Sequence, residues 1–201
     1  MSREAAIEKR RATLPHWEQG ETCVFATFHL ADSLPQQVLR EWSARRSAWL
    51  EMHPRPWCED VAKEYGREFG ARLDAWLDKG MGSRALADAQ AAKIVWDAML
   101  YFDGDRYDMY AFTVMPTHVH ALFSPRNYSL ASILHSWKSY TAKAIHRKCG
   151  GSGAFWQKEN WDRLVRGQLH FSNVIRYIEA NPAKAGVNAP VYIKEGVADV
   201  F

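Results

Sequence analysis

Two histidines flank one valine in His118-Val119-His120, just after a run of strand-forming residues at 107–114. In an extended strand, side chains i and i+2 share a face. The two imidazoles therefore stand side by side, while Val119 turns to the opposite, apolar face. Neutral imidazole is the commonest protein ligand for metals, so the pair is half of a divalent-cation site. A pair of half-exposed sheet histidines has the same pattern, and the spacing alone does not separate the two. A second set of reactive residue types lies in Arg176-Tyr177-Ile178-Glu179-Ala180-Asn181-Pro182. Tyr177 and Asn181 are four apart, stacked on one helix face, at the edge of the apolar stripe Phe171, Val174, Ile175 and Ile178. The tyrosine is either a nucleophile or a core aromatic with its hydroxyl in water. Asn181 has its own plain reading, as the helix end ahead of Pro182.

The elements that must position these groups follow from periodicity and punctuation. A β-branched and aromatic run at 22–31 predicts a strand. Ser33 then supplies a helix cap, with Pro35 in the first turn and Gln36 as the capping-box partner. Val61, Tyr65, Phe69, Leu73 and Leu77 recur at i+4 steps and predict a helix over 60–79, closed by Gly80 and Gly82. A further helix over 85–102 leads through Asp103-Gly104-Asp105 to strands at 106–114 and 118–124. Ser129 caps a helix reaching 148, a short strand follows near Leu164, and a last helix over 169–181 stops at Pro182 before an irregular tail. This order predicts an α+β fold. Its expected core is a ferredoxin-like, split βαβ antiparallel sheet with helices on one face. The chain reads as one domain over 1–201, with a loose arm at 1–20 and a peripheral helical insertion within 33–84.

Composition is globular, 47% apolar and 24% charged, over 201 residues. No apolar run is long enough to span a membrane, and the first residues are too charged for a signal peptide. Cys23, Cys58 and Cys149 have no ligating or paired spacing, which suits reduced thiols in a cytoplasm. Charge is uneven: residues 106–187 hold eleven Lys/Arg against four Asp/Glu, whereas 1–105 hold fourteen against seventeen. The half with the histidine pair is thus the basic half, and a basic surface attracts phosphate backbones. Lys138, Lys143, Arg147 and Lys148 lie on the polar face of the helix after Ser129 and are the candidate phosphate contacts. A solvated helix face has the same composition.

Three motifs in order, MPTHVHALF, WQKENWDRLVR and RYIEANPAKAGV, resemble those of the REP-associated tyrosine transposases. These belong to the wider group of one-tyrosine transposases with a His-hydrophobe-His motif. The resemblance spans 111–187 and more loosely takes in FATFHLADSLP. It implies a metal-dependent nuclease and strand transferase acting on single-stranded, hairpin-forming DNA. His118 and His120 would bind Mg²⁺ or Mn²⁺ with Asn181 as third ligand, and Tyr177 would be the nucleophile. Trp156, Trp161 and Arg163 would stack on bases or grip the backbone, although the tryptophans read equally as core. A monomer is favoured over a dimer. Thr117 stands where the family mostly has Asn, and Ala183 where it often has Val, and neither is expected to touch the chemistry. Tyr140, flanked by Lys138 and Lys143, is the competing nucleophile. A histidine-triad hydrolase would want a third histidine where Leu122 stands. The non-enzymatic alternative is a nucleic-acid-binding or regulatory protein derived from a transposase.

Overall fold

The computed structural model describes residues 8–9, 17–18 and 23–197. Most of the arm expected over 1–20 lies outside the described residues; Glu8–Lys9 there pairs with Trp17–Glu18. The main sheet has five strands: β1 (Val24–His29), β2 (Tyr107–Val114), β3 (His118–Pro125), β4 (Trp161–Leu164) and β5 (Val191–Ile193). Their order is β4-β1-β3-β2-β5, with every neighbouring pair antiparallel. Without the edge strand β5 this is the split βαβ arrangement, in which β3 inserts between β1 and β2. The fold is the expected α+β one. The tail is not irregular as expected, because Val191 to Ile193 pair with Thr113 to Ala111.

Helices cover both faces of the sheet. The two crossover helices, α4 (Ala89–Leu100) and α5 (Leu130–Cys149), pack on the face carrying Val24, Ala26, Phe28, Val119, Ala121 and Phe123. These two share one face, as expected. The other face carries Cys23, Phe25 and Leu122 and is covered by α6 (Gln168–Lys184) through Phe171, Val174 and Ile178. The expectation of helices on one face fails because alternate positions of β1 and β3 are apolar on both sides. The interruption is Thr27, His118 and His120, polar residues that share the α6 face and are all 0–1% exposed.

Ser129 and Asp88 cap α5 and α4 through their side-chain oxygens. Ser33 does not cap α1 (Gln36–Met52); its hydroxyl donates to the Leu30 carbonyl at 2.8 Å and lies 2.7 Å from His29 Nδ1. Nor does Pro182 stop α6, which continues to Lys184. Proline this near a helix end removes a single donor, and Ala185 N–H still reaches the Asn181 carbonyl at 3.0 Å. Asn181 therefore sits inside the last turn, and its side chain is buried.

The stripe from Val61 to Leu77 lies on three consecutive pieces: α2 (Glu59–Tyr65), a π-helical turn (Gly66–Ala71) and α3 (Arg72–Leu77). Residues spaced by four drift about 40° per step on an α-helix of 3.6 residues per turn. A wider π turn in the middle recovers that drift and keeps Tyr65, Phe69, Leu73 and Leu77 buried. They form a second core with Leu34 and Trp42 that closes on Trp161 of β4. Arg46 is buried there beneath the rings of Trp42, Tyr65 and Trp161 and donates to the Tyr65 hydroxyl. A Cβ on Gly70 would come within 2.9 Å of Trp161 Cζ2. Gly70→Ala is expected to cost about 1 kcal/mol net, overpacking outweighing the gain in helix propensity. Urea denaturation checks this, and an unchanged midpoint would contradict the contact.

Candidate metal and nucleophile site

His118 and His120 lie on β3, where strand alternation places both rings on the α6 face, and their Nε2 atoms are 3.0 Å apart. The far nitrogen of each ring is held by a threonine. His120 Nδ1 is 2.8 Å from Thr27 Oγ1, its cross-strand partner on β1. His118 Nδ1 is 2.9 Å from Thr117 Oγ1, which itself donates to the Leu77 carbonyl at 3.2 Å. Because the Thr117 proton goes to that carbonyl, His118 must donate from Nδ1, and its Nε2 carries the lone pair. The tautomer that can bind a cation at Nε2 is thereby fixed. Thr117 thus touches the site, contrary to the sequence expectation. Its hydroxyl does the orienting, and a serine or threonine at this position could not have been singled out by type alone.

Burial pushes His120 down to about 3, with the charges of Arg163 and Lys184 adding to the effect. Burial, then the neighbouring His120 and His29, hold His118 well below the ordinary imidazole range. Burial also lowers His29 to about 4. All three are neutral near pH 7, as ligands must be. Their unfolded counterparts take up protons near 6.5, so the folded state binds fewer protons as pH falls. The stability they confer is complete above about 6.5 and is lost as pH drops, by roughly 2 kcal/mol at pH 5 for each of His29 and His120, whose folded values lie near 4 and 3. Asp74, raised to about 6 chiefly by burial, works the other way, its contribution being lost as pH rises through 6. Three imidazoles outweigh the two carboxylates that burial raises, Asp74 and Asp78, so the metal-free protein should be less stable at pH 5 than at pH 7.5. Denaturant titrations showing equal stability at the two values would contradict the buried, neutral assignment.

Tyr177 packs edge-on against His120, with ring centroids 5.3 Å apart, and against Phe25 at 5.8 Å. One turn on, Asn181 is 1% exposed, and neither its Oδ1 nor its Nδ2 has a hydrogen-bond partner. α3 closes the site from above. The Asp74 carboxylate faces Tyr177, although neither Tyr177 Oη nor Asp74 Oδ1 has a hydrogen bond of ordinary geometry. Burial, then the carboxylates of Asp74 and Asp78, push the phenol up, so it is held neutral. Asp78 Oδ1 is 4.0 Å from His118 Nε2, and its Oδ2 is 3.5 Å from Lys184 Nζ. Among the described residues no three His, Cys, Asp or Glu side chains already form a metal-holding cluster. The buried amide of Asn181, without a hydrogen-bond partner and one turn after the tyrosine that packs on His120, nevertheless suits a divalent cation held with the two neutral imidazoles. These three side chains would hold one.

The other sequence candidates divide. Arg163, opposite Phe25 across the β1–β4 ladder, lies 5.0 Å over that ring and is solvent-exposed, and its charge acts on Asp74 and Tyr177. Lys143, Arg147 and Lys148 are exposed on α5, across the sheet from the histidines. Lys138 is no free phosphate ligand: its ammonium lies 3.2–3.4 Å from the carbonyls of Gln157, Lys158 and Glu159 and from Asn160 Oδ1. The tryptophans are core residues and not stacking platforms. Trp156 donates to Thr141 Oγ1 at 2.9 Å and packs on Phe28, while Trp161 joins the helical cluster. Tyr140 is 59% exposed on α5, also across the sheet. Sequence reasoning missed Thr27, Asp74, Asp78 and Lys184. Only Lys184 had a signal, three residues after Asn181 in the last motif.

Residues 98–181 match the family model described as transposase, IS200 like. This segment holds β2, β3, α5, β4 and α6 as far as Asn181, and it is similar to the IS200-like transposases. Among solved structures, a REP-associated tyrosine transposase bound to a REP hairpin is similar at 17% identity. That match covers 89% of this chain and 74% of the other, with a TM-score of 0.49. No curated protein matches.

Proposed function

We propose that the protein is a divalent-metal-dependent endonuclease and strand transferase for single-stranded DNA, working through a 5′-phosphotyrosine on Tyr177. The observation that carries this is the packing of Tyr177 on His120, with the unsatisfied Asn181 amide one turn away. The family match over 98–181 supports the class of reaction. Hairpin-forming repeat DNA is the proposed substrate, a reading that rests on the three motifs. His118, His120 and Asn181 would hold Mg²⁺ or Mn²⁺, and imidazole ligation favours Mn²⁺. When bound, the cation supplies positive charge against a non-bridging phosphate oxygen.

The protein's own residues do the rest. A phenol with an ordinary value near 10 is a weak nucleophile at neutral pH, and burial beside two carboxylates holds Tyr177 higher still. Asp74 faces its hydroxyl and, raised to about 6, is the base placed to take the proton. Attack forms the Tyr177 Oη–P bond and breaks the P–O3′ bond, and the proton passes finally to the 3′ oxygen. One ester is exchanged for another, so a second 3′-hydroxyl can reverse the step and join strands. Arg163 and Lys184 supply positive charge at the rim for the phosphate. Residues 1–201 would act as one catalytic unit with 33–84 as an insertion, and the free thiols suit a reducing cytoplasm.

Labelled hairpin DNA with a single-stranded flank, incubated with the protein and Mn²⁺ or EDTA, tests this on a denaturing gel. The expected result is a cleaved strand and a slow-migrating adduct in Mn²⁺ alone. Tight binding without cleavage in either condition would instead mark a non-catalytic DNA-binding protein.

A further inference from the structure

The helical segment between β1 and β2 does more than cover the sheet. Its end brings Asp78 up to the histidine pair, facing His118. Asp78 Oδ1 is buried without a hydrogen-bond partner, 4.0 Å from His118 Nε2. The side chain is 13% exposed, so its position is enclosed and not a surface accident. Its other oxygen is engaged by Lys184 Nζ at 3.5 Å, which turns the free oxygen towards the imidazoles. Lys184 stands three residues after Asn181 on α6, so the same helix end that offers an amide also orients this carboxylate.

The backbone fixes that placement from the other side. Thr117 Oγ1 donates to the Leu77 carbonyl at 3.2 Å and accepts from His118 Nδ1 at 2.9 Å. One hydroxyl therefore joins the residue before Asp78 to the ring that Asp78 faces. Chemistry supplies the need. Two neutral imidazoles and a neutral amide leave a dication with no charge compensation, and hard cations such as Mg²⁺ and Mn²⁺ favour carboxylate oxygen. Asp78 Oδ1 and both amide atoms of Asn181 are buried without hydrogen-bond partners. A buried polar atom left unpaired is costly, and a shared cation would satisfy several at once. Asp78 Oδ1 is about 1 Å further from Nε2 than the ~3 Å ligand-to-ligand edge of an octahedral shell with 2.1 Å bonds, a distance within reach of a side-chain rotation.

We infer that Asp78, contributed by the helical segment, is a fourth protein ligand of the divalent cation, with His118, His120 and Asn181 as the others and Lys184 as its positioning residue. The inference rests on the metal-dependent reading of the site and adds the segment 33–84 to it. It makes α3 part of the metal centre.

The test is Mn²⁺ binding by the full chain without DNA, followed by the electron paramagnetic resonance signal of the free ion. Wild type, His118→Ala, Asp78→Asn and Asp74→Asn are compared, each checked for folding by its thermal melt. The expected result is tight binding in wild type, none in His118→Ala, and affinity about tenfold weaker or more in Asp78→Asn, with Asp74→Asn within about twofold of wild type and Asp78→Glu restoring part of the loss. Wild-type affinity in a folded Asp78→Asn overturns the assignment while leaving the metal reading intact. An equal loss in Asp74→Asn also overturns it, because the effect would then be the field of nearby carboxylates. Absence of any Mn²⁺ binding that depends on His118 overturns this inference and the metal-dependent reading together, and a surviving adduct in EDTA would then identify a metal-free transferase.

Discussion

Tyr177→Phe should abolish covalent attachment to DNA completely while leaving the protein at least as stable as before. The first half follows from chemistry, since phenylalanine keeps the ring contacts with His120 and Phe25 and removes only the attacking oxygen. The second follows from burial. Tyr177 Oη has no hydrogen bond of ordinary geometry, so its loss relieves a poorly satisfied polar group. The combination is diagnostic, because a merely structural tyrosine would give no change in adduct and a destabilised one would lower the melting temperature. Tyr140→Phe should leave the adduct unchanged, since that side chain is 59% exposed on α5, on the face of the sheet away from the histidines. Adduct yield on a denaturing gel, read beside a thermal melt, checks both variants.

His118→Ala and His120→Ala should each lower metal-dependent cleavage by a factor on the order of a hundred or more, by taking away one imidazole ligand. The two should differ in collateral effect. His118 donates to Thr117 Oγ1, whose own proton goes to the Leu77 carbonyl, so its removal takes away one of the two bonds that hold that hydroxyl against the end of α3. His120 is tied to Thr27 within the sheet. The account therefore expects a greater rise in proteolytic cutting after residue 77 for His118→Ala than for His120→Ala. Thermal melts separate loss of a ligand from loss of fold. Cleavage rates equal to wild type in either folded variant would remove the histidine pair from the chemistry.

Much of this site was legible in the sequence because it is built from short-range geometry. The i, i+2 spacing of His118 and His120 and the i, i+4 spacing of Tyr177 and Asn181 are fixed by strand and helix periods, whatever the fold around them. The sheet order followed from the alternation of strands and crossovers. What escaped was tertiary. Asp74 lies on a helix, and Asp78 just past its end, some forty residues before the histidines, and nothing in their spacing says that α3 reaches the α6 face. Trp156 and Trp161 sit in a family-like motif, and composition cannot tell a base-stacking ring from one packed on Phe28 or Tyr65. Lys138 failed as a phosphate ligand for a similar reason. A lysine on a polar helix face reads as solvated until the 157–160 loop folds over it. The helix through Pro182 shows a local rule overridden where it costs least, in a last turn that has few donors left to lose.

The central claim is that Tyr177 is the residue that becomes bonded to DNA, and peptide mapping of the adduct tests it most directly. Protein trapped on single-stranded hairpin DNA in Mn²⁺ would be digested with nuclease and trypsin and the nucleotide-bearing peptide sequenced by mass spectrometry. The account predicts a phosphonucleotide on Tyr177 within the segment around Arg176–Lys184 and on no other tyrosine. Attachment at Tyr140, or cleaved DNA with no modified tyrosine, would contradict it.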